Sequence, residues 1–320
     1  MSENPDLGAI RVLTAPSLGA RDLPGQFLLV DATAADDVYR VLAESGMSFA
    51  SLFTGQDAVT LQREAPYLLD RSGEGMDLES AETTRLLVER DAAIGLVADC
   101  TMDELRRHLR RWLTVRLPEN GGKVMFRMFD PHILAVFLMT LPAADAHAFF
   151  GPVAEFHLLR DGSHANYSLT PRARATEPTR FGVGTYYQIT PAQMQTFEEV
   201  AGDTFKTDLF RFFRSVFPDA VARLDDASLR QQISLGIKDA ERLGDVRPGT
   251  VLTVQAVRLL RPDIINNEWI WRQVLEKNEL AGDPLMRGAI LEAYLTSDFG
   301  SLEEREAYNA AIDRFWTGEY

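Results

Sequence analysis

The chain has 320 residues and a formal charge of −14 at pH 7. It is 46% hydrophobic and 25% charged, a globular rather than a disordered composition. That length favours two lobes, and the acidic balance disfavours general binding to nucleic acid or anionic membranes. A lone cysteine, Cys100, excludes an internal disulfide or a Cys-cluster metal site.

Residues 1–25, with Pro5, Pro16, Gly19, Pro24 and Gly25, read as a loose arm. Residues 26–170 read as an α/β lobe, with strands expected at Phe27–Asp31, Ser48–Phe53, Tyr67–Asp70 and Ala93–Ala98. Helices near 38–42, 56–64 and 80–90 separate them, so a sheet covered on both faces is expected. Thr101-Met102-Asp103-Glu104 is a capping box that opens a helix. Two hairpins follow, Leu113–Leu117 with Lys123–Phe129, and Ala154–Arg160 with Ser163–Thr170 around Asp161-Gly162. They make the sheet mixed rather than purely parallel. Residues 171–189 read as a connector, and residues 190–320 as an all-α lobe that starts at the capping sequence Thr190-Pro191-Ala192-Gln193. Helices are expected there to Pro218, then at 226–243, 250–261, 267–279, 284–297 and 301–316, the last with Ser301 and Glu304 as a capping box. The fold class is therefore a mixed-sheet α/β N-terminal lobe followed by an all-α C-terminal lobe.

Chemistry-bearing motifs are scarce. Gly46-Met47-Ser48-Phe49-Ala50 lacks the second glycine of a nucleophile elbow. Gly121-Gly122-Lys123-Val124 has no upstream glycine or following Ser/Thr to make a phosphate loop, and Gly182-Val183-Gly184 lacks the third glycine of a dinucleotide fingerprint. His108, His132, His147, His157 and His164 show no metal-ligand spacing along one helix. A two-residue turn at Asp161-Gly162 would set His164 opposite Leu159 and diagonal to His157, close enough to share a metal, but with no carboxylate or third His placed nearby in sequence the pair reads as two exposed edge histidines. Asp130 and Pro131 form a structural motif, with Asp as N-cap and Pro in the first helical turn. Cys100 reads as a small packing residue.

One stretch runs against the overall charge. Residues 100–130 carry Arg106, Arg107, Arg110, Arg111, Arg116, Lys123 and Arg127 against four acidic side chains. Helical periodicity buries Leu105, Leu109 and Trp112 and leaves the arginines flanking that stripe. Pairing Pro118 with Lys123 would put Arg116, Lys123 and Arg127 on one hairpin face, with Val115, Leu117, Val124, Phe126 and Met128 on the buried one. Arg106, Arg110, Arg116 and Arg127 are the expected partner-binding residues, a docking patch for acidic groups; the alternative is a solvated face neutralised by the chain's own carboxylates. On the docking reading, Arg106→Glu with Arg110→Glu should leave folding intact. Phe205, Phe210, Phe212, Phe213 and Phe217 exceed one helical stripe, which fits packing on two sides or a groove for a partner segment.

Phe27-Leu-Leu-Val-Asp-Ala32, Ser45-Gly-Met-Ser-Phe-Ala-Ser-Leu-Phe53, Ala65-Pro-Tyr-Leu-Leu69, Leu105-Arg-Arg-His-Leu-Arg-Arg-Trp112, Val115-Arg-Leu-Pro118, Phe126-Arg-Met-Phe-Asp-Pro131 and Phe149-Phe-Gly-Pro152 occur in that order. This ordered set, over residues 27–155, resembles the adaptors that load effectors onto the bacterial type VI secretion spike, long catalogued only as a domain of unknown function. Phe129 stands where that family usually has Tyr, and His132 where it often has Arg. The resemblance implies a cytoplasmic, non-enzymatic adaptor or chaperone without a cofactor. Its implied partners are a secreted effector and the trimeric spike protein VgrG, with no nucleic acid, membrane insertion or small-molecule substrate. The opening Met-Ser-Glu-Asn-Pro-Asp lacks the pattern of a secretory signal, which agrees. Two other readings stay open: a metal-dependent hydrolase using Asp130, His132 and His157, and a toxin-neutralising immunity protein.

Overall fold

The computed structural model describes residues 2–3, 9–16, 23–71, 78–119, 121–160, 163–170, 174, 185–272, 274–275, 284–297 and 302–317. The chain divides into two compact units, Met1–Glu198 and Glu199–Tyr320.

The first unit holds strands β1 (Ser2–Glu3), β2 (Ile10–Pro16), β3 (Phe27–Asp31), β4 (Phe49–Ser51), β5 (Pro66–Asp70), β6 (Ala93–Ala98), β7 (Thr114–Arg116), β8 (Lys123–Met125), β9 (Val153–Arg160), β10 (Ser163–Leu169) and β11 (Tyr187–Gln188). Its helices are α1 (Val38–Glu44), α2 (Asp57–Thr60), α3 (Leu78–Glu89), α4 (Met102–Arg110), α5 (Pro131–Thr140) and α6 (Ala143–Phe150). Eight strands form one sheet in the order β1-β2-β10-β9-β6-β3-β5-β4, and each neighbouring pair is antiparallel. The parallel pairing among the described residues lies in a small second sheet, β11-β7-β8, where Tyr187 pairs with Val115.

Side chains alternate across the main sheet because successive Cβ atoms point to opposite faces. Phe27, Leu29, Ile94, Leu96, Phe156 and Leu158 join a core with Leu105 and Leu109 of α4, Phe137 of α5 and Phe149 of α6. Leu28, Val30, Tyr67 and Leu69 instead pack with Val38 and Leu42 of α1 and Leu87 of α3. The sheet is thus covered on both faces, as the continuous apolar strands imply. Helix α5 is apolar nearly all round, and it buries Leu134, Ala135, Val136, Phe137 and Leu138.

Two sequence expectations are corrected here. The arm at 1–25 contains β2, whose Ile10 and Val12 are buried while Arg11 is exposed, and which pairs with β10 from Ser163↔Pro16 to Leu169↔Ile10. The segment has little periodicity of its own, its partner lies some 150 residues away, and prolines and glycines surround it. The connector at 171–189 ends in β11 instead of loop; Pro171, Pro178, Gly182 and Gly184 lie outside the described residues.

Helix α7 (Pro191–Val216) runs across the division between the units. It starts with the capping arrangement expected: Gln193 N–H donates to Thr190 Oγ1 at 3.1 Å and Thr190 N–H to Gln193 Oε1 at 3.0 Å. Met194 and Phe197 pack on the first unit's core.

The second unit continues with α8 (Pro218–Val221), α9 (Asp226–Leu243), α10 (Pro248–Leu260), α11 (Pro262–Ile265), α12 (Glu268–Arg272), α13 (Pro284–Ser297) and α14 (Leu302–Thr317). Asp225 caps α9 by accepting Ser228 N–H at 2.7 Å, and Gly244 closes it in the left-handed conformation. Phe212 and Phe213 are fully buried, and Phe205, Phe210 and Phe217 pack partly buried around the same core. Rings from both ends of the unit meet there, Phe212 and Phe315 with centroids 5.1 Å apart. The phenylalanine cluster is therefore core packing on two sides. Ser301, the expected cap of α14, lies outside the described residues.

Candidate interaction surface

The capping box that opens α4 forms in full. Glu104 N–H donates to Thr101 Oγ1 at 3.3 Å, and Thr101 N–H donates to the Glu104 carboxylate at 2.9 Å. Those bonds from Thr101 hold the Glu104 carboxyl below the usual range. Cys100, just before the cap, is half-buried against the core, and burial pushes its thiol up. Such a thiol is less nucleophilic, not more.

Helix α4 aims its arginines in different directions. Arg106 is half-buried, and its Nε donates to Ser51 O at 2.7 Å with Nη2 reaching Phe53 O at 3.4 Å. It staples α4 to the end of β4. Arg110, exposed, donates to Thr54 Oγ1 at 3.0 Å. The expectation that reversing Arg106 leaves folding intact is corrected on this geometry, since a glutamate there would face two carbonyl oxygens.

The small sheet holds the next cations. Arg116 pairs with Lys123 across β7 and β8, and Val115 with Val124. This register is shifted from the expected pairing of Pro118 with Lys123, because Leu117 N–H closes the loop onto Gly122 O at 2.9 Å. Arg116 and Lys123 still share a side, and both approach the Tyr186 ring, at 6.0 and 4.3 Å from its centroid. Val124, expected to be buried, is 37% exposed, and Met125 is 53% exposed. Among the described residues, strand β8 lies at the edge of its sheet.

Arg127 is committed elsewhere. Its Nη2 lies 2.7 Å from Asp31 Oδ2 and 3.1 Å from Thr33 Oγ1, with Asp130 Oδ2 at 3.6 Å. Asp31 is buried and also accepts Thr33 N–H at 2.8 Å. Asp130 caps α5, accepting His132 N–H at 2.8 Å and Ile133 N–H at 3.3 Å, with Pro131 in the first turn. The four arginines are thus anchored in three places: Arg106 and Arg110 on segment 51–54, Arg116 with Lys123 at Tyr186, and Arg127 on Asp31. Tyr186 carried no sequence signal, because it follows a stretch read as connector.

The histidine geometry expected from the β9–β10 turn is present. His164 pairs with Leu159, and His157 Nδ1 lies 3.0 Å from His164 Nε2 with the rings parallel. The other nitrogen of His157, Nε2, is 3.0 Å from Glu155 Oε2 but poorly aligned for a hydrogen bond. Asn166 Nδ2 holds that carboxylate at 2.8 Å. Burial lowers the pKa of both imidazoles, and His164 lowers that of His157 further. His157 is buried, not an exposed edge residue. Among the described residues, no group of three or more His, Cys, Asp or Glu is placed to hold a metal ion. Among them, too, no helix is long and apolar enough to cross a membrane.

Residues 26–148 match a protein family described as a domain of unknown function, DUF4123. The matched span falls on α/β elements β3 to α6, and it contains all four arginines as well as Asp130 and Pro131. No curated protein and no solved structure matches the chain.

Proposed function

We propose that this chain is a cytoplasmic, non-catalytic adaptor or chaperone that binds a type VI secretion effector and helps to load it onto the VgrG spike. The observation that carries the reading is the ordered residue set from Phe27 to Pro152, nearly all of it inside the family match over 26–148. The positions in that set are largely structural: Phe129, Phe149 and Phe150 are buried, Trp112 meets Phe149 edge to face, and Asp130 caps α5. They define a scaffold, and the exposed cations on it, Arg110 at Thr54 and the Arg116–Lys123 pair at Tyr186, are opposite in sign to the chain's −14. The Arg116–Lys123 pair suits an acidic segment of effector or spike, steered by charge and anchored by the exposed Met125, which lies on the same side of β8 as Lys123. On this reading Arg106 and Arg127 position the surface more than they contact the partner.

The test is co-purification of the full chain with the products of neighbouring genes. Capture of a large toxin-like protein or of a spike protein, reduced by Arg110→Glu and Arg116→Glu, supports the reading. Failure to capture either, with the chain folded and both candidates soluble, overturns it.

A further inference from the structure

The second unit contains a cleft of about 370 Å³ between α10, α13 and α14. Helices α10 and α13 meet closely beside it: a Cβ on Gly288 would come 3.1 Å from Thr250 Cγ2. Leu252 and Ile312 line the wall, and Trp316, 53% exposed, stands at the opening. A Cβ on Gly249 would find nothing nearer than Trp316 Cζ2 at 3.9 Å, so that end of the cleft is open.

Two charged residues line it, Arg247 and Glu292. They are not equivalent. Arg247 is held by the buried Asp245, with Nη2 to Oδ2 at 2.8 Å and Nε to Oδ1 at 3.0 Å, and Thr250 Oγ1 donates to the same carboxylate at 2.6 Å. The pair cancels, and these bonds hold the Asp245 carboxyl far below its ordinary range. Glu292 is half-buried, and no hydrogen bond or ion pair reaches its carboxylate among the described residues. Burial raises its pKa, and its nearness helps to raise that of the Tyr308 phenol. Among the described residues, the cleft therefore holds one uncompensated carboxyl, an aromatic face and an apolar wall.

That combination selects a cation on an apolar stem. An ammonium or guanidinium can take the carboxylate while its methylenes lie on the partly buried Ile312 and its charge faces the indole. An anion would meet Glu292 unfavourably. We propose that this cleft receives a lysine or arginine side chain presented by the bound partner polypeptide. The proposal rests on the adaptor reading for its source of such a side chain. An opening flanked by the exposed Trp316 and Gly249 admits a side chain from an outside surface. The chain's −14 attracts basic segments to it.

The experiment uses the full chain, the Trp316 indole NMR signal assigned with Trp316→Phe, and blocked amino acids as probes. N-acetyl-lysine methylamide and N-acetyl-arginine methylamide should shift that signal saturably, and N-acetyl-norleucine methylamide should not. Glu292→Gln, a near-isosteric change at a carboxyl that burial already disfavours, should weaken the cationic probes about tenfold with no loss of thermal stability. Gly249→Leu, which fills the open end, should abolish the shift. Equal binding of the neutral probe, unchanged binding in Glu292→Gln, or no saturable shift overturns the proposal. Co-purification with the partner separates this from the adaptor reading. Full capture by Glu292→Gln overturns the cleft and leaves the adaptor standing, whereas absence of any captured partner strikes the adaptor reading while the probes still decide the cleft.

Discussion

Arg106 and Arg110 lie one helical turn apart with the same side chain, yet the structure assigns them different work. Arg106 donates from Nε to Ser51 O at 2.7 Å, while its second contact, at 3.4 Å to Phe53 O, is too long to add much. A hydrogen bond from a charged donor is worth ~1.5–3 kcal/mol, and its loss leaves a partly buried carbonyl unpaired. Arg110 makes one exposed bond to Thr54 Oγ1, a class of contact worth under ~1 kcal/mol. Arg106→Ala should therefore cost ~1.5–3 kcal/mol and Arg110→Ala at most about 1. For a unit the size of Met1–Glu198, ~2–4 °C of Tm per kcal/mol puts the first near 3–12 °C and the second below about 4 °C. Differential scanning calorimetry that resolves the two units is the assay. Indistinguishable melting of the two alanine variants would refute the staple, and with it the division between positioning and contacting arginines.

Arg110→Glu should leave Tm nearly unchanged while it weakens capture of the partner and flattens its salt dependence, measured by calorimetry across a salt series; unaltered affinity counts against the docking face. Asp130→Ala removes the cap on His132 and Ile133 N–H and should cost ~0.5–2 kcal/mol in urea unfolding, with binding reduced only in proportion. Gly151 has φ +49°, and a Cβ there would sit 2.3 Å from His108 Cε1. Gly151→Ala should thus cost more than ~1 kcal/mol, and disturb the 2.7 Å contact of His108 Nε2 with Phe149 O; a neutral substitution would show that the ring has room to move. His157 and His164 both have folded pKa values below the ordinary 6.5, so the unfolded chain binds more protons as pH falls. Their contribution is present above 6.5 and is lost as pH drops through the folded values. Urea unfolding at about pH 7.5 and 5.5 should show acid destabilisation, smaller in His164→Gln; the same pH slope in both proteins would contradict it.

Local signals were enough for much of this protein. Capping sequences at Thr101, Asp130 and Thr190 define helix starts by bonds to residues two or three positions on, so they are legible without a partner. The register that sets His164 opposite Leu159 follows from a two-residue turn, and the helices at 226–243 and 284–297 follow from their periodicity. Strand β2 was hidden for the opposite reason: a seven-residue segment among prolines becomes a strand because β10 offers it an edge, a long-range hydrogen-bonding decision. The basic island shows the same limit at the level of function. Composition and periodicity locate seven cations between 100 and 130. The carbonyls of Ser51 and Phe53 and the carboxylate of Asp31 decide which of them are consumed inside the fold. Glu292, Trp316 and Arg247 carry no joint signal along the chain, since three helices must pack before these side chains line one cleft. Sequence determines what each segment can form and what charge it carries; packing determines which polar groups find one another, because that depends on distances the chain closes only when folded.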